Sequence, residues 1–225
     1  GESYRDGYIP ALGHDYVNGV CSRCGNTEGS CDGGASCPSK PYHDVDTGRW
    51  YHEGIDYAIA HGLMNGVGNG MFEPESSMTR AMLVTVLWRY AGQPQAAANP
   101  FTDVPGGEWY TQAVAWAAEN GVVNGIGGGK FDPNGRVTRE QAAAILFRYA
   151  QKVGAASAER ADLSGFPDAN AVSDYASDAM RWVVAEGIIG GSREYDGRDW
   201  LKPQGSATRA QVAAILMRYI ENVTK

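Results

Sequence analysis

The stretch FTDVPGGEWYTQAVAWAAENGVVNGIGGGKFDPNGRVTR, residues 101–139, decides the fold because most of its motifs occur again in the chain. Residues 42–80 carry them after a shift of 59 residues. Asp44 and Arg80 are separated by 36 residues, as are Asp103 and Arg139. Repetition at a fixed period is typical of proteins that stack copies of one supersecondary unit.

A third, looser copy follows the first two. Its Asp168 and Arg209 lie 41 residues apart, and the extra residues fall mainly within residues 192–200. The three copies and a non-repeating N-terminal segment predict four parts, with these boundaries: 1–41, 42–98, 99–160 and 161–225.

Each copy has the pattern of a helix, a glycine-rich loop and a second helix. Apolar residues at helical spacing form the first helix, which ends at a glycine in each copy: Gly62, Gly121 and Gly187. A threonine N-cap begins the second helix: Thr79, Thr138 and Thr208. In the second and third copies a glutamine three residues later completes a capping box. One helix pair cannot bury its apolar stripe alone, so we predict an all-α fold in which three pairs pack together.

The composition excludes some classes of function. The chain has 19 basic and 26 acidic residues, a net charge of -7, whereas a nucleic-acid-binding protein normally has a basic face. No apolar run approaches the roughly 18 residues of a membrane-spanning helix, so membrane insertion is not expected. A hydrophobic content of 43% is enough for a folded core. The oligomeric state is left open.

Residues 62–80 and 121–140 resemble the S-layer homology family, and the resemblance extends over all three copies. The motifs that carry it are Phe-x-Asp-Val, a following Trp, the glycine loop closed by Phe-x-Pro, and the Thr-Arg helix start. The resemblance implies a pseudo-trimer around a central helical bundle, with binding grooves between neighbouring repeats. It also implies a secreted protein of a Gram-positive-type cell wall or S-layer, attached noncovalently to secondary cell-wall polysaccharide that often carries pyruvate ketals.

The arginine after each capping threonine is the main candidate for ligand binding. A cation at the first position of a helix opposes the helix macrodipole, yet all three copies have one: Arg80, Arg139 and Arg209. One interpretation is a structural salt bridge to the repeated aspartates Asp44, Asp103 and Asp168. The other is that the guanidinium and free backbone N–H groups bind a ligand carboxylate, such as a pyruvate ketal.

Other repeated residues are candidates for contacts with a sugar, each with a structural alternative. Glycines let a ligand approach the backbone closely, or they form a tight turn: Gly66, Gly68, Gly125 and Gly127. Trp50 and Trp109 are candidates for stacking on a sugar ring, and the structural alternative is that they cover a small core. Asp44 and Asp103 are candidates for contact with the ligand, and the structural alternative is that they form caps and turns before the first helix.

All four cysteines precede the first repeat: Cys21, Cys24, Cys31 and Cys37. In an exported protein this even number favours two disulfides, with Cys31–Cys37 as one pair. The alternative is a zinc ion bound by Cys21 and Cys24, with further ligands among His14, Cys31 and Cys37. Apart from this zinc alternative, no cofactor is expected.

The sequence does not complete any of the catalytic motifs that it partly resembles. Residues 52–56, HEGID, resemble a zinc-protease helix but end in Asp where a second His is required. We therefore predict a non-enzymatic anchor that binds an anionic wall polysaccharide. The alternative is a self-assembly or protein-interaction module of the cell surface without affinity for glycans.

Overall fold

The computed structural model of the chain describes residues 37–224 and the backbone of two short strands, β1 (Tyr16–Val17) and β2 (Val20–Cys21), which pair antiparallel. The α-helices of the described residues are α1 (His52–Ala60), α2 (Arg80–Tyr90), α3 (Thr111–Glu119), α4 (Arg139–Lys152), α5 (Ser177–Ala185) and α6 (Arg209–Val223). Two 3₁₀ helices, Ala169–Ala171 and Asp174–Ala176, precede α5. The predicted all-α class is confirmed.

The predicted ends of the first helices and the predicted starts of the second helices are confirmed. The glycines after α1, α3 and α5 adopt the left-handed backbone, with φ of 66°, 69° and 67°. Thr79, Thr138 and Thr208 accept a hydrogen bond from the backbone N–H three residues later. The capping box is complete in α4 and α6, as the glutamines predict.

The first helix of each repeat packs against the second helix of the preceding repeat. Helix α3 packs on α2 and α5 packs on α4, while α1 packs on α6 and closes the cycle. The apolar stripes of the second helices are therefore covered by neighbouring repeats, as expected for units that cannot fold alone.

The starts of the three second helices are joined by a triangle of backbone hydrogen bonds. The N–H of Met78 donates to the carbonyl of Ala207 at 2.9 Å, that of Ala207 to Val137 at 2.9 Å, and that of Val137 back to Met78 at 3.0 Å. Three tyrosines later in these helices form a second triangle, with ring centroids 6.1 to 6.3 Å apart: Tyr90, Tyr149 and Tyr219. The predicted pseudo-trimer stays a prediction about the whole molecule, and these cyclic contacts support it.

The extra residues of the third repeat form a short antiparallel hairpin, in which β3 (Ser192–Arg193) pairs with β4 (Asp199–Trp200). The hairpin lies within residues 192–200, where the motif spacing located the extra residues of this repeat. Over the described residues, no helix combines the length and the apolar character required to cross a membrane.

Candidate functional site

The repeated arginines link each repeat to the next through a backbone carbonyl. The Nε of Arg80 donates to the carbonyl of Phe131 at 2.8 Å, that of Arg139 to Leu201 at 2.7 Å, and that of Arg209 to Phe72 at 2.7 Å. The acceptors are the first residues of the Phe-x-Pro and Leu-x-Pro motifs, and the three bonds run from one repeat to the next and back to the first. Each arginine therefore stabilises an inter-repeat contact, whatever else it binds.

The interpretation that these arginines form salt bridges to the repeated aspartates is wrong, because the described residues contain no such ion pair. Each aspartate instead accepts two backbone N–H groups from its own repeat. Asp44 binds Phe72 and Glu73 at 2.8 and 2.7 Å, and Asp103 binds Phe131 and Asp132 at 2.7 and 2.8 Å. In the third repeat Asp168 binds the equivalent pair, Leu201 and Lys202, at 2.9 and 2.7 Å.

The aspartates thus have a structural role that sequence reasoning did not anticipate. They do not cap the first helices, whose N-cap residues make no side-chain capping bond. Instead, Asp103 binds the N–H of Phe131 while Arg80, from another repeat, binds its carbonyl. Burial raises the pKa of Asp103, but the hydrogen bonds from Phe131 and Asp132 outweigh this effect and leave its pKa lowered. The ionised carboxylate therefore helps to hold this segment.

Burial dominates the electrostatics of the arginines. Arg80, Arg139 and Arg209 are each only 6% exposed. Loss of solvation lowers the pKa of Arg139 to about 10, and lowers the pKa values of Arg80 and Arg209 as well. All three guanidiniums still carry a positive charge at neutral pH. Since water does not satisfy a buried charge, each guanidinium needs protein or ligand acceptors.

A groove of about 330 Å³ lies beside Arg80, and all three repeats contribute to it. Arg80 comes from the first repeat, Arg148 from helix α4 of the second, and Tyr175 from the third. Among the described residues, the side chain of Arg148 makes no hydrogen bond or ion pair, and the side chain of Arg80 donates a hydrogen bond only through Nε. Nearby Arg148 further lowers the pKa of Arg80, because like charges repel. The groove thus holds two cations with unused donors.

Tyr175 is positioned in this groove by a buried acid. Glu140 accepts hydrogen bonds from the Ser173 N–H at 2.9 Å, the Ser173 hydroxyl at 2.8 Å and the Tyr175 hydroxyl at 3.0 Å. Burial and the bond to Glu140 raise the pKa of Tyr175 to about 12, so its phenol is neutral. The residue remains 54% exposed, which leaves much of its surface available to a ligand.

A smaller groove of about 120 Å³ lies beside Arg139. It is lined by Trp50 of the first repeat and by Arg218, Lys202 and the loop 188–192 of the third. Arg218 donates to the carbonyl of Ile188 at 3.3 Å, and Lys202 pairs with Glu194 of the β3–β4 hairpin. The indole N–H of Trp50 is buried, and no described residue forms a hydrogen bond with it. This groove is narrower and its cations are better satisfied than those beside Arg80.

Comparison with known proteins agrees with this architecture. The profile of the S-layer homology domain matches residues 41–81, 100–143 and 165–213, which is more than half of the chain. The chain belongs to the S-layer homology family. Each matched segment contains the first helix of one repeat and the start of the second helix, including its inter-repeat arginine.

Relatives with S-layer homology repeats are surface proteins and enzymes. A surface-layer 125 kDa protein of Lysinibacillus sphaericus is 33% identical over 76% of this chain and 14% of its own length. An amylopullulanase of Thermoanaerobacterium thermosulfurigenes is 27% identical over 81% of this chain and 10% of its own length. A cellulosome-anchoring protein of Acetivibrio thermocellus is 24% identical over 81% of this chain and 41% of its own length. The chain thus spans well under two thirds of these relatives.

Membership of the S-layer homology family makes this chain a cell-surface anchoring module of an exported protein, located in the cell wall or S-layer. The repeats are themselves a non-catalytic module.

Sequence reasoning missed a second repeated arginine. Arg89, Arg148 and Arg218 each lie nine residues after the arginine of the Thr-Arg motif. The signal was present in the sequence, because the same spacing occurs three times. At the boundary between the third and first repeats, Arg89 donates to the carbonyl of Leu63 at 3.1 Å and Arg209 to that of Asn65 at 2.6 Å. Only the Arg80–Arg148 pair lacks such additional backbone acceptors among the described residues.

The candidate glycines fall into two groups. A Cβ on Gly66 would lie 2.2 Å from the Tyr42 ring, and one on Gly125 would lie 2.4 Å from the Lys130 carbonyl, so both are needed for packing. Gly68 and Gly127 have open space around them and a positive φ of 107° and 101°. Of these four, Gly125 lines the groove beside Arg80.

The two candidate tryptophans differ in their surroundings. Trp50 is half-buried and lines the groove beside Arg139. Trp109 is 56% exposed and packs edge-on against Tyr110.

Cys37 is the cysteine whose side chain the structure describes, and within the described residues it is a buried free thiol. Cys31 lies outside them, so the predicted Cys31–Cys37 disulfide stays a prediction. His14, Cys24, Cys31 and the side chain of Cys21 lie outside the described residues, and the zinc site predicted from them stays a prediction.

Proposed function

We propose that this S-layer homology module binds an anionic cell-wall polysaccharide, through a pyruvate ketal, in the groove beside Arg80. The observation that carries the proposal is the pair formed by Arg80 and Arg148. Two partly unsatisfied cations line one groove of a protein whose net charge is -7. An anion held against the overall negative field needs such local groups.

The chemistry of the groove suits a ketal carboxylate. A planar guanidinium donates two parallel hydrogen bonds to a carboxylate, and such charge-assisted bonds are the strong ones. The groove volume of about 330 Å³ is within the range of about 300–1,000 Å³ that is usual for small-ligand sites. Tyr175 and Ile126, which is 54% exposed, provide apolar surface for the face of a sugar ring.

The other predicted site residues have secondary parts in this proposal. Arg139 and Trp50 line the smaller groove, where we propose weaker binding of the same polysaccharide. Arg209, Asp44 and Asp103 hold the backbone of the Phe-x-Pro segments rather than the ligand. The complete protein is proposed to attach further domains to the wall through this module, and no catalysis is proposed for the repeats themselves.

The alternative is a module for assembly with other copies or other surface proteins. The exposed indole of Trp109 favours this alternative because it covers no core in the described residues. Concentration-dependent association without affinity for glycans would support assembly over polysaccharide binding.

The test is co-sedimentation of the chain with purified wall polysaccharide, before and after chemical removal of the pyruvate ketals. We expect binding to be lost with the ketal. Arg148→Gln is the decisive variant, because it removes a groove cation without breaking any hydrogen bond of the described residues. Arg136→Gln, on a cation not found among the residues lining either groove, is the matched control and should bind normally. Binding that is unchanged by ketal removal and by Arg148→Gln would overturn the proposal.

A further inference from the structure

Three side chains of types that can ligate a metal ion converge beside helix α1. The Sγ of Cys37 lies 3.1 Å from Nε2 of His52 and 3.0 Å from Oδ2 of Asp56, and Nε2 of His52 lies 3.2 Å from the same Oδ2. His52 and Asp56 are four residues apart, so they lie on one face of the helix. The three residues are 3%, 5% and 2% exposed, respectively.

The distances fit a zinc ion better than a catalytic triad. Around a tetrahedral zinc with the usual bond lengths, such donor atoms lie about 3.3–3.6 Å apart, so the three side chains need to move apart by only a few tenths of an ångström to admit the ion. In a catalytic triad, the histidine uses one ring nitrogen for the nucleophile and the other for the acid. Here the same Nε2 faces both Cys37 and Asp56, as three ligands around one point would.

The charges of the cluster fit a divalent cation as well. A thiolate, a carboxylate and a neutral imidazole carry two negative charges, which Zn²⁺ would neutralise in a buried place. The described residues place no Lys or Arg in an ion pair with Asp56. The Ser39 N–H donates to Oδ1 of Asp56 at 2.9 Å and orients the carboxylate, as outer-shell groups do at metal sites.

The repeats provide an internal comparison. The positions of His52 and Asp56 in helix α1 are Thr111 and Ala115 in α3, and Ser177 and Arg181 in α5. Only the repeat that adjoins Cys37 has these two ligands. The repeat fold therefore does not require them, and their presence together with Cys37 needs another explanation.

We propose that Cys37, His52 and Asp56 bind one zinc ion, which fastens the segment before the first repeat to helix α1. When zinc binds, the Cys37 thiol releases its proton and the thiolate becomes a ligand. This site is different from the zinc alternative at the N-terminal cysteines, with which it shares only Cys37. It is also independent of polysaccharide binding.

The test is metal titration of the whole chain after treatment with a chelator. We expect one tightly bound zinc per chain by elemental analysis, a higher melting temperature with zinc, and a thiolate-to-metal absorption band when Co²⁺ replaces zinc. Cys37→Ser should abolish this band. His52→Ala and the nearly isosteric Asp56→Asn should lose stoichiometric zinc, while His61→Ala, on an exposed histidine of the same region, should keep it.

Circular dichroism of the metal-free variants shows whether each one folds. A wild-type chain that takes up no zinc would overturn the proposal. Zinc that persists in folded His52→Ala and Asp56→Asn but disappears in Cys21→Ser/Cys24→Ser would also overturn it, in favour of the N-terminal site.

Discussion

The grooves beside Arg80 and Arg139 are built from equivalent parts and yet differ in what they offer a ligand. Each combines the first-turn arginine of one repeat, the second helix of the next repeat and an aromatic residue of the remaining one. The groove beside Arg80 has a volume of about 330 Å³, against about 120 Å³ beside Arg139. Arg148 is without a hydrogen bond in the described residues, whereas its counterpart Arg218 bonds the carbonyl of Ile188.

Part of this difference originates in the hairpin insertion of the third repeat. Glu194 in the hairpin pairs with Lys202, a cation of the smaller groove. The comparison teaches that the cyclic scaffold is shared by all the repeats, while the capacity to bind an anion is set by the few residues that do not repeat.

The largest expected effect tests the shared scaffold. Arg139→Met and Arg80→Met should each lower the free energy of unfolding by about 2 to 3 kcal/mol, because a charge-assisted hydrogen bond is lost and a carbonyl is left without its partner. Urea denaturation followed by circular dichroism measures this. Arg198→Met, on an arginine whose side chain is 62% exposed, is the control and should change stability by under about 0.5 kcal/mol. Equal stability of all three variants would show that the arginines do not link the repeats.

The next effect separates the two grooves by affinity. Arg148→Gln should weaken binding of pyruvylated polysaccharide about 10- to 100-fold, which corresponds to the loss of one charge-assisted hydrogen bond. Arg218→Gln should weaken it by about 2-fold or less, because Arg218 is already bound to a carbonyl and lines the smaller groove. Isothermal titration calorimetry measures both. Equal losses would mean that both grooves bind equally well.

A smaller effect concerns the stability of the chain at acidic pH, which depends on Asp103. The pKa of Asp103 in the folded chain is below its ordinary value of 3.8. Its contribution to stability is therefore complete above that value and is lost as the pH falls through the lowered pKa. Asp103→Asn should cost about 1 to 2 kcal/mol at neutral pH and should flatten the acid end of the stability curve. Thermal unfolding from pH 7 downward tests this, and parallel curves for the two proteins would contradict it.

The smallest effect concerns the aromatic residue that differs between the grooves. Tyr175→Phe removes the hydrogen bond to Glu140 and should cost about 0.5 to 1 kcal/mol of stability, since the site is half exposed. The ring remains, so affinity for the polysaccharide should change by less than about 2-fold if the ring face makes the contact. A large loss of affinity with unchanged stability would assign the contact to the hydroxyl instead.

Local features were predictable because each depends on neighbouring residues. The threonine caps, the glycines after the first helices and the absence of a capping box at Thr79 all follow from positions within a few residues of one another. The partners of Asp103 and Arg80 were not predictable, because they are backbone groups 28 and 51 residues away that no side-chain pattern identifies. The Cys37–His52–Asp56 cluster escaped for a similar reason, since the motif at 52–56 was compared only with a helix that carries two histidines.

By itself, the sequence determined the threefold repeat, the helix pairs and their boundaries, because periodicity and capping are short-range properties. Only the tertiary structure decided that the arginines bond carbonyls of the next repeat, that one groove contains two cations with unused donors, and that a thiol, an imidazole and a carboxylate meet. Those outcomes depend on how separate repeats approach one another in space. The spacing of residues along the sequence does not give the distances between repeats.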